Sequence, residues 1–432
     1  MSSLRRLYES LPNEAQYVAK KGYNLTKETE RSTIMYLLDT NVISTLDRSD
    51  LKSHPEIEYY AHDKPEQHTF VAPTVPGKDD IIQEAIRRDR WRDDLTTLDD
   101  KKDPKYSVEC HEPFVAELPN ITIFGPHALA RTPNRELPLE VKANLRDRGG
   151  SFAAMFRSTL RWFGRVNTMK SIIDPGPSDQ NFEVAASILT GRKNTTPAYG
   201  HWLVEILPRI RRIKHYQRQT GKNPIILVNP NITDWQIETL ELVGVDTSNL
   251  IKWEGGQASV DRYVLPMWAK TKWCTSDIDW IREQIANGVD YEKHLDRFSS
   301  RIYLSRANMD RRQVTNREQL VDTISDYGFE SYSPESMKFA EQVALFKQAN
   351  IIIGPTGSSF TNIIFSADAN IIELFQPENF ITWQFELSQV LDHEYHALFG
   401  DGVDENDNTI NPHHQDFCIS PDQVTDLLEK II

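Results

Sequence analysis

The sequence predicts an α/β protein made of two successive units of parallel sheet and helix, and three observations carry that expectation. Short, wholly apolar runs rich in β-branched residues, such as Ile225 to Val228 and Ile351 to Ile353, fit strands buried on both faces. Segments that follow them repeat apolar residues at helical spacing, as in Ile237, Leu240 and Val243. The alternation stops in a charged stretch without strand signals, 273–298, and then resumes, which divides the chain into an N-terminal unit at 106–272 and a C-terminal one at 299–432.

Residues 1–105 are the least legible part, either an element of the first unit or an appendage to it. Leu37, Leu38, Val42 and Ile43 suggest one small buried element, and Asp89 to Asp103, where acidic and basic residues nearly alternate, suggests a solvated helix or loop. Phe114 to Pro126 reads as strand, turn and strand, with Pro119 and Asn120 as the turn and Gly125-Pro126 as the stop. Phe152, Met155, Phe156, Leu160 and Phe163 predict a helix after Gly149-Gly150, and Tyr199 opens another after Pro197. On that second helix His201, Glu205 and Arg209 stand four apart and share a face, Trp202, Leu203 and Ile206 turn to the core, and Pro208 breaks or kinks it.

Ile225 to Val228 is the next strand, Thr233 caps a helix, Leu250 to Trp253 is a strand, and Asp261 to Lys272 is the last strand of the unit. Beyond the divider come a strand at Arg301 to Leu304, a helix from Asn316 to Tyr327, a strand at Phe329 to Tyr332 and a helix from Ser336 to Ala349. The stretch from Asn350 to Phe375 then reads strand, turn, helix, strand, and a last helix starts at Thr382. A doubly wound sheet of this kind binds ligands beyond the carboxyl ends of its strands.

The chain has 432 residues, ample to bury a core, with 49 Lys and Arg against 63 Asp and Glu and a net charge of −14. Nucleic acid and anionic membrane surfaces are therefore disfavoured as main partners. No run approaches a membrane span and no signal peptide is legible, so the expected location is cytoplasmic, with peripheral membrane association left open. Three widely spaced cysteines give neither a disulfide framework nor a zinc site, and His393 with His396 and His413 with His414 lack a converging third ligand. The sequons at Asn24, Asn120, Asn194 and Asn231 are read as chance.

Three features meet at one crevice in such a fold. Gly357, Ser358 and Ser359 start a helix directly after a buried strand, where backbone N–H groups and the helix dipole favour a phosphate. Arg306, with Arg311 and Arg312 behind it, follows the strand Arg301 to Leu304; such arginines fork onto a diphosphate, or simply make a basic surface loop. Glu373, inside an apolar strand, needs a partner, either a ribose diol or an ion pair. His201 has the basicity to take a proton from a hydroxyl near neutral pH with Glu205 orienting it, although a histidine beside Trp202 also fits a packing role.

Tyr199 to Ile210, Arg301 to Arg306, Phe339 to Phe346 and Gly354 to Asn362, in this order and spacing, resemble glycosyltransferase family 61. That family includes capsular polysaccharide biosynthesis proteins and plant and animal xylosyl- and N-acetylglucosaminyltransferases, and the resemblance spans about 114–398. It implies a GT-B fold of two facing Rossmann-like units, a nucleotide-sugar donor, with UDP the expected nucleotide, in the second unit, an inverting mechanism, and neither metal nor other cofactor. The acceptor implied is a hydroxyl of a glycan or lipid-linked oligosaccharide. Thr356 and Ser358 stand where the family's turn usually reads His and Ala, so a donor-contacting imidazole becomes a hydroxyl. A sugar-nucleotide or glycan-binding paralogue without turnover, and an epimerase or hydrolase on the same fold, are the alternative readings.

Overall fold

A computed structural model describes residues 44–90, 105–110, 112–138, 159–160, 164–173, 176, 178, 180–189, 198–267, 274–403 and 414–432. The expectations for Leu37, Leu38, Val42 and Ile43, for most of the charged run at 89–103, for Phe152, Met155, Phe156 and Phe163, and for His413 fall outside the described residues.

The N-terminal part contributes β1 (Ser44–Leu46), β2 (Glu58–Ala61), β3 (Glu66–Val71) and β4 (Lys105–Cys110). Next come β5 (Phe114–Phe124), β6 (Leu129–Arg131), β7 (Glu136–Pro138), β8 (Asn181–Ser187), β9 (Ile225–Val228), β10 (Leu250–Lys252) and β11 (Gln257–Pro266). The first sheet has the order β10-β9-β8-β11-β5-β2, with β6 also on β5. It is mixed rather than wholly parallel: β8 to β11 pair in parallel, while β5 runs antiparallel to β11, β2 and β6. The expected turn at Pro119-Asn120 is absent. β5 runs through it, with Pro119 opposite Arg262 and Asn120 in a left-handed backbone at φ 54°, because pairing with β11 before and after this point outweighs the local stop signal.

The second sheet is built from β12 (Arg301–Leu304), β13 (Glu330–Tyr332), β14 (Ile351–Pro355), β15 (Asn370–Phe375) and β16 (Glu394–Phe399). Its order is β13-β12-β14-β15-β16, and every pair is parallel. Numbered from its own first strand, that is 2-1-3-4-5, a doubly wound order whose switch point lies between β12 and β14. All of β14 is buried, as its apolar run predicts.

The segment 274–298 is a linking helical stretch between the two sheets. It holds a helix at Thr275–Gly288, with Ile278, Ile281 and Ile285 buried. Asp277 on that helix takes a bidentate pair from buried Arg212, at 2.7 and 3.1 Å, which ties it to the helix Leu207–Thr220. One apolar cluster is continuous between the sheets, taking in Ile226, Val228 and Val264 from the first, Leu203 and Ile206 from the helical stretch after Tyr199, Ile302 and Ile352 from the second, and Phe360 from the turn after β14. The two halves are thus packed on each other where the candidate residues lie.

The N-terminal strands brace this junction. The Glu66 carboxylate accepts from the Thr275 N–H at 2.9 Å, at the positive start of the helix Thr275–Gly288. On the other side Gln389 bonds both the N–H and the carbonyl of Val71, at 2.9 and 2.7 Å, and the Tyr106 hydroxyl donates to Glu386 at 2.7 Å. Gln389 and Glu386 belong to the helix Thr382–Val390, which borders the candidate site.

Candidate active site

The chain after Ala198 turns once as an α-helix (Tyr199–His201), widens into a π-helix (Trp202–Ile206) and continues as an α-helix (Leu207–Thr220). Pro208 explains the widening. It has no N–H to offer one turn back and its ring crowds that carbonyl, so the preceding turn expands, and the Leu207 N–H bonds the Trp202 carbonyl five residues earlier. His201 and Glu205 still meet, with Nδ1 at 3.0 Å from Oε2; the imidazole is half exposed and the carboxylate buried. Arg209 does not share that face as expected: past the widened turn it is buried and donates to the carbonyls of Ser187 and Leu189. Trp202, Leu203 and Ile206 are in the core, and Trp202 Nε1 donates to Thr239 at 2.7 Å.

This helix start is pressed against the turn after β14. A Cβ on Gly200 would collide with the Thr361 hydroxyl, so only glycine permits the approach. The Tyr199 hydroxyl donates to Asn362 Oδ1 at 2.6 Å, and Asn362 in turn donates to Gln342 at 3.0 Å. His201 therefore lies next to the segment that carries the candidate anion site.

That segment is a 3₁₀ helix, Ser358–Phe365, whose first turn bond runs from the Phe360 N–H to the Gly357 carbonyl at 3.2 Å. Ser358 is exposed and Ser359 half-buried, with their N–H groups ahead of that first bond. Across the switch point, Arg306 follows β12 and lays its guanidinium against Gly357, in space that any Cβ there would fill. Arg306 Nε and Nη2 also face the Arg311 carbonyl at 3.4 Å. Arg306 and Arg312 sit close enough to repel. Burial and that repulsion bring the Arg306 pKa down to about 10, while burial lowers that of Arg312 against the pull of Glu373. A half-buried cluster of cations ready for an anion results.

Glu373 does not line this crevice. It is 0% exposed on β15, beneath the turn, and accepts from the Tyr395 hydroxyl at 2.7 Å. The ribose contact expected of it therefore fails for want of accessible surface. Thr356, 1% exposed, likewise turns its hydroxyl inward beside that carboxyl and not toward a ligand. Burial pushes the Glu373 pKa up to about 7, countered in part by Thr356, Tyr395 and Arg312. Because the folded-state value is raised above the usual 4.5, its contribution to stability is full below about pH 4.5 and lost as pH rises through 7. Urea unfolding of wild type and Glu373→Gln at pH 5 and 8 checks this. The difference between them should move in favour of the variant at pH 8; a difference independent of pH would contradict the burial argument.

Of the residues singled out from sequence, the structure brings together His201, Glu205, Arg306, Gly357, Ser358 and Ser359, with Arg311 and Arg312 on the loop behind Arg306. Sequence reasoning missed two on the helix Thr382–Val390. Trp383 meets the His201 ring, centroids 4.7 Å apart at 74°, and buried Gln384 donates Nε2–H to the Gly357 carbonyl at 3.1 Å. Their only local signal is an aromatic and an amide at the start of a helix that follows β15. His393 uses both ring nitrogens, one near the Ala369 N–H at 3.2 Å and one near the Ile363 carbonyl at 3.0 Å, so it is a packing group. Among the described residues no three His, Cys, Asp or Glu are grouped to hold a metal ion, and no helix is long and apolar enough to cross a membrane.

Residues 199–372 match the sequence model of the family described as Glycosyltransferase 61. The match begins at the helix that carries His201 and ends inside β15, and so includes Arg306 and the Gly357 turn. No curated protein matches the chain.

Proposed function

We propose that the chain, whose residues 199–372 match the glycosyltransferase 61 model, is a glycosyltransferase that transfers a sugar, with inversion and without a metal ion, from a nucleotide diphosphate to a hydroxyl of a glycan or lipid-linked oligosaccharide. UDP is the nucleotide we expect. The observation that carries the reading is the meeting of Arg306 and the Gly357 turn, at the switch point of a parallel sheet, with a His–Glu pair on a helix packed from the other half. Two α/β halves that contribute a base and an anion site to one place support a GT-B arrangement, with the acceptor on the side of 106–272 and the donor on that of 299–432.

The chemistry follows from this placement. The diphosphate rests on Arg306 and the N–H groups of Ser358 and Ser359, with Arg311 and Arg312 adding positive charge. An acceptor oxygen attacks the anomeric carbon from the face opposite the diphosphate, and the bond from that carbon to the diphosphate oxygen breaks. The electron pair leaves with the diphosphate, where the guanidinium charges stabilise it. With Nδ1–H directed to Glu205, Nε2 of His201 is the basic nitrogen and takes the acceptor proton. Glu373 and Thr356 act below the surface, supporting the turn.

Arginine can supply the neutralisation that a divalent cation supplies elsewhere, so transfer should survive chelation. The test is transfer measured with and without EDTA. Undiminished rate is expected; loss with EDTA and recovery with manganese would overturn the metal-free mechanism.

A further inference from the structure

We propose that Trp383 is the platform on which the acceptor sugar stacks, and that the acceptor terminus is a pyranoside with a continuous face of axial C–H bonds. The inference rests on reading this site as a glycosyltransferase centre with His201 as its base.

Trp383 lies outside the stretch that matches the family and is the second residue of the helix Thr382–Val390. Its neighbours Thr382, Gln384 and Phe385 are buried, whereas the indole is only partly covered. Trp383 packs in part against the continuous apolar core and leaves the rest of its ring in water beside a polar site, where an aromatic surface can serve a ligand as well as the core. Position supplies one. The indole and the half-exposed His201 imidazole meet at 74° with centroids 4.7 Å apart, so their planes form a corner. The next residue, Gln384, holds the Gly357 carbonyl, which fixes the corner against the anion-binding turn. The same helix is anchored from outside by Val71 and Tyr106, so the corner rests on a braced element.

A pyranose presents an apolar face of C–H bonds and a rim of hydroxyls. Laid on the indole, it buries the face and directs its rim along the plane of the stack, toward a ring standing nearly perpendicular. That is the direction in which an acceptor hydroxyl meets the base. Apolar contact with an aromatic surface and hydrogen bonding at the edge are thus satisfied together, the arrangement by which aromatic side chains hold flat polar ligands elsewhere. A β-glucoside, β-galactoside or β-xyloside has such a face in its axial H1, H3 and H5, whereas in an α-mannoside the axial glycosidic oxygen at C1 interrupts it.

The experiment uses the full chain, saturation-transfer NMR and methyl β-D-glucopyranoside, β-D-galactopyranoside and β-D-xylopyranoside as probes, with UDP and GDP binding followed in parallel by calorimetry. The expected result is transfer concentrated on the ring protons of one face for at least one probe, weaker for methyl α-D-mannopyranoside. Trp383→Ala should weaken that probe about tenfold and erase the one-sided pattern, and Trp383→Phe should restore part of both. UDP affinity should be unchanged in both variants. If UDP binds but no probe does, or if the probes bind Trp383→Ala as well as wild type, the platform is overturned. If the probes depend on Trp383 while neither UDP nor GDP binds, the platform stands and the transferase reading falls; if GDP binds in place of UDP, only the choice of nucleotide falls. Trp383→Phe keeps the test open should the alanine variant fail to fold.

Discussion

Replacing His201 by alanine is expected to lower turnover by about 10²- to 10⁴-fold, the range that general acid–base catalysis supplies, with nucleotide affinity nearly unchanged. The geometry is that of a base and its orienting group: a half-exposed imidazole with Nδ1 at 3.0 Å from a buried carboxylate. The packing alternative is weakened by the same geometry, since Trp202 and not His201 fills the core. His201→Asn should do no better than alanine, because an amide does not take the proton. Glu205→Gln is the intermediate case, keeping a hydrogen-bond acceptor for Nδ1–H without its charge. Single-turnover rates for the three variants check this; near-normal turnover in His201→Ala would move the base elsewhere.

Arg306→Ala should weaken binding of a nucleotide diphosphate by about 10- to 100-fold, corresponding to the about 1.5–3 kcal/mol of a hydrogen bond to a charged group. Its guanidinium is held half-buried against Gly357 at the switch point, where an anion also meets the N–H groups of the 3₁₀ turn. Arg306→Lys should recover only part of the loss, since a point charge does not reproduce the fork. Calorimetric titration with UDP reads the change directly, and equal affinity in wild type and Arg306→Ala would remove this residue from the site.

These residues were legible because they follow strands whose apolar runs announce themselves. Ile351 to Ile353 marks a buried strand unaided, and what comes after such a strand in a doubly wound sheet faces the ligand. The less legible parts are those where distant contacts decide. β3 buries little beyond Phe70, so nothing in its own pattern marks the brace it forms against the helix Thr382–Val390. Pro119-Asn120 is a stop signal that the long pairing of β5 with β11 overrides. Pro208 announced a disturbance, but whether it would kink, end or widen the helix depended on packing, and the widening is what separates Arg209 from Glu205. For Glu373 a carboxylate inside an apolar strand signals the need for a partner but not its depth, so the pattern fits a ribose ligand or an ion pair equally and does not reveal a buried carboxyl bonded to Tyr395. Trp383 gains its role only through the approach of a helix from the other half of the chain, and Gln384 through the fold of its own half, which brings it to the Gly357 carbonyl.

Central to this account is the transfer of sugar from a nucleotide diphosphate by the His201 and Arg306 pairing. The most direct measurement is nucleotide release from a panel of UDP-, GDP- and other nucleotide sugars, with and without added glycan acceptors, by wild type, His201→Ala and Arg306→Ala. The account predicts release from at least one donor, stimulated by an acceptor that gains the sugar, and lost in both variants. Binding without release, rearrangement of the donor sugar, or equal release by all three chains would contradict it.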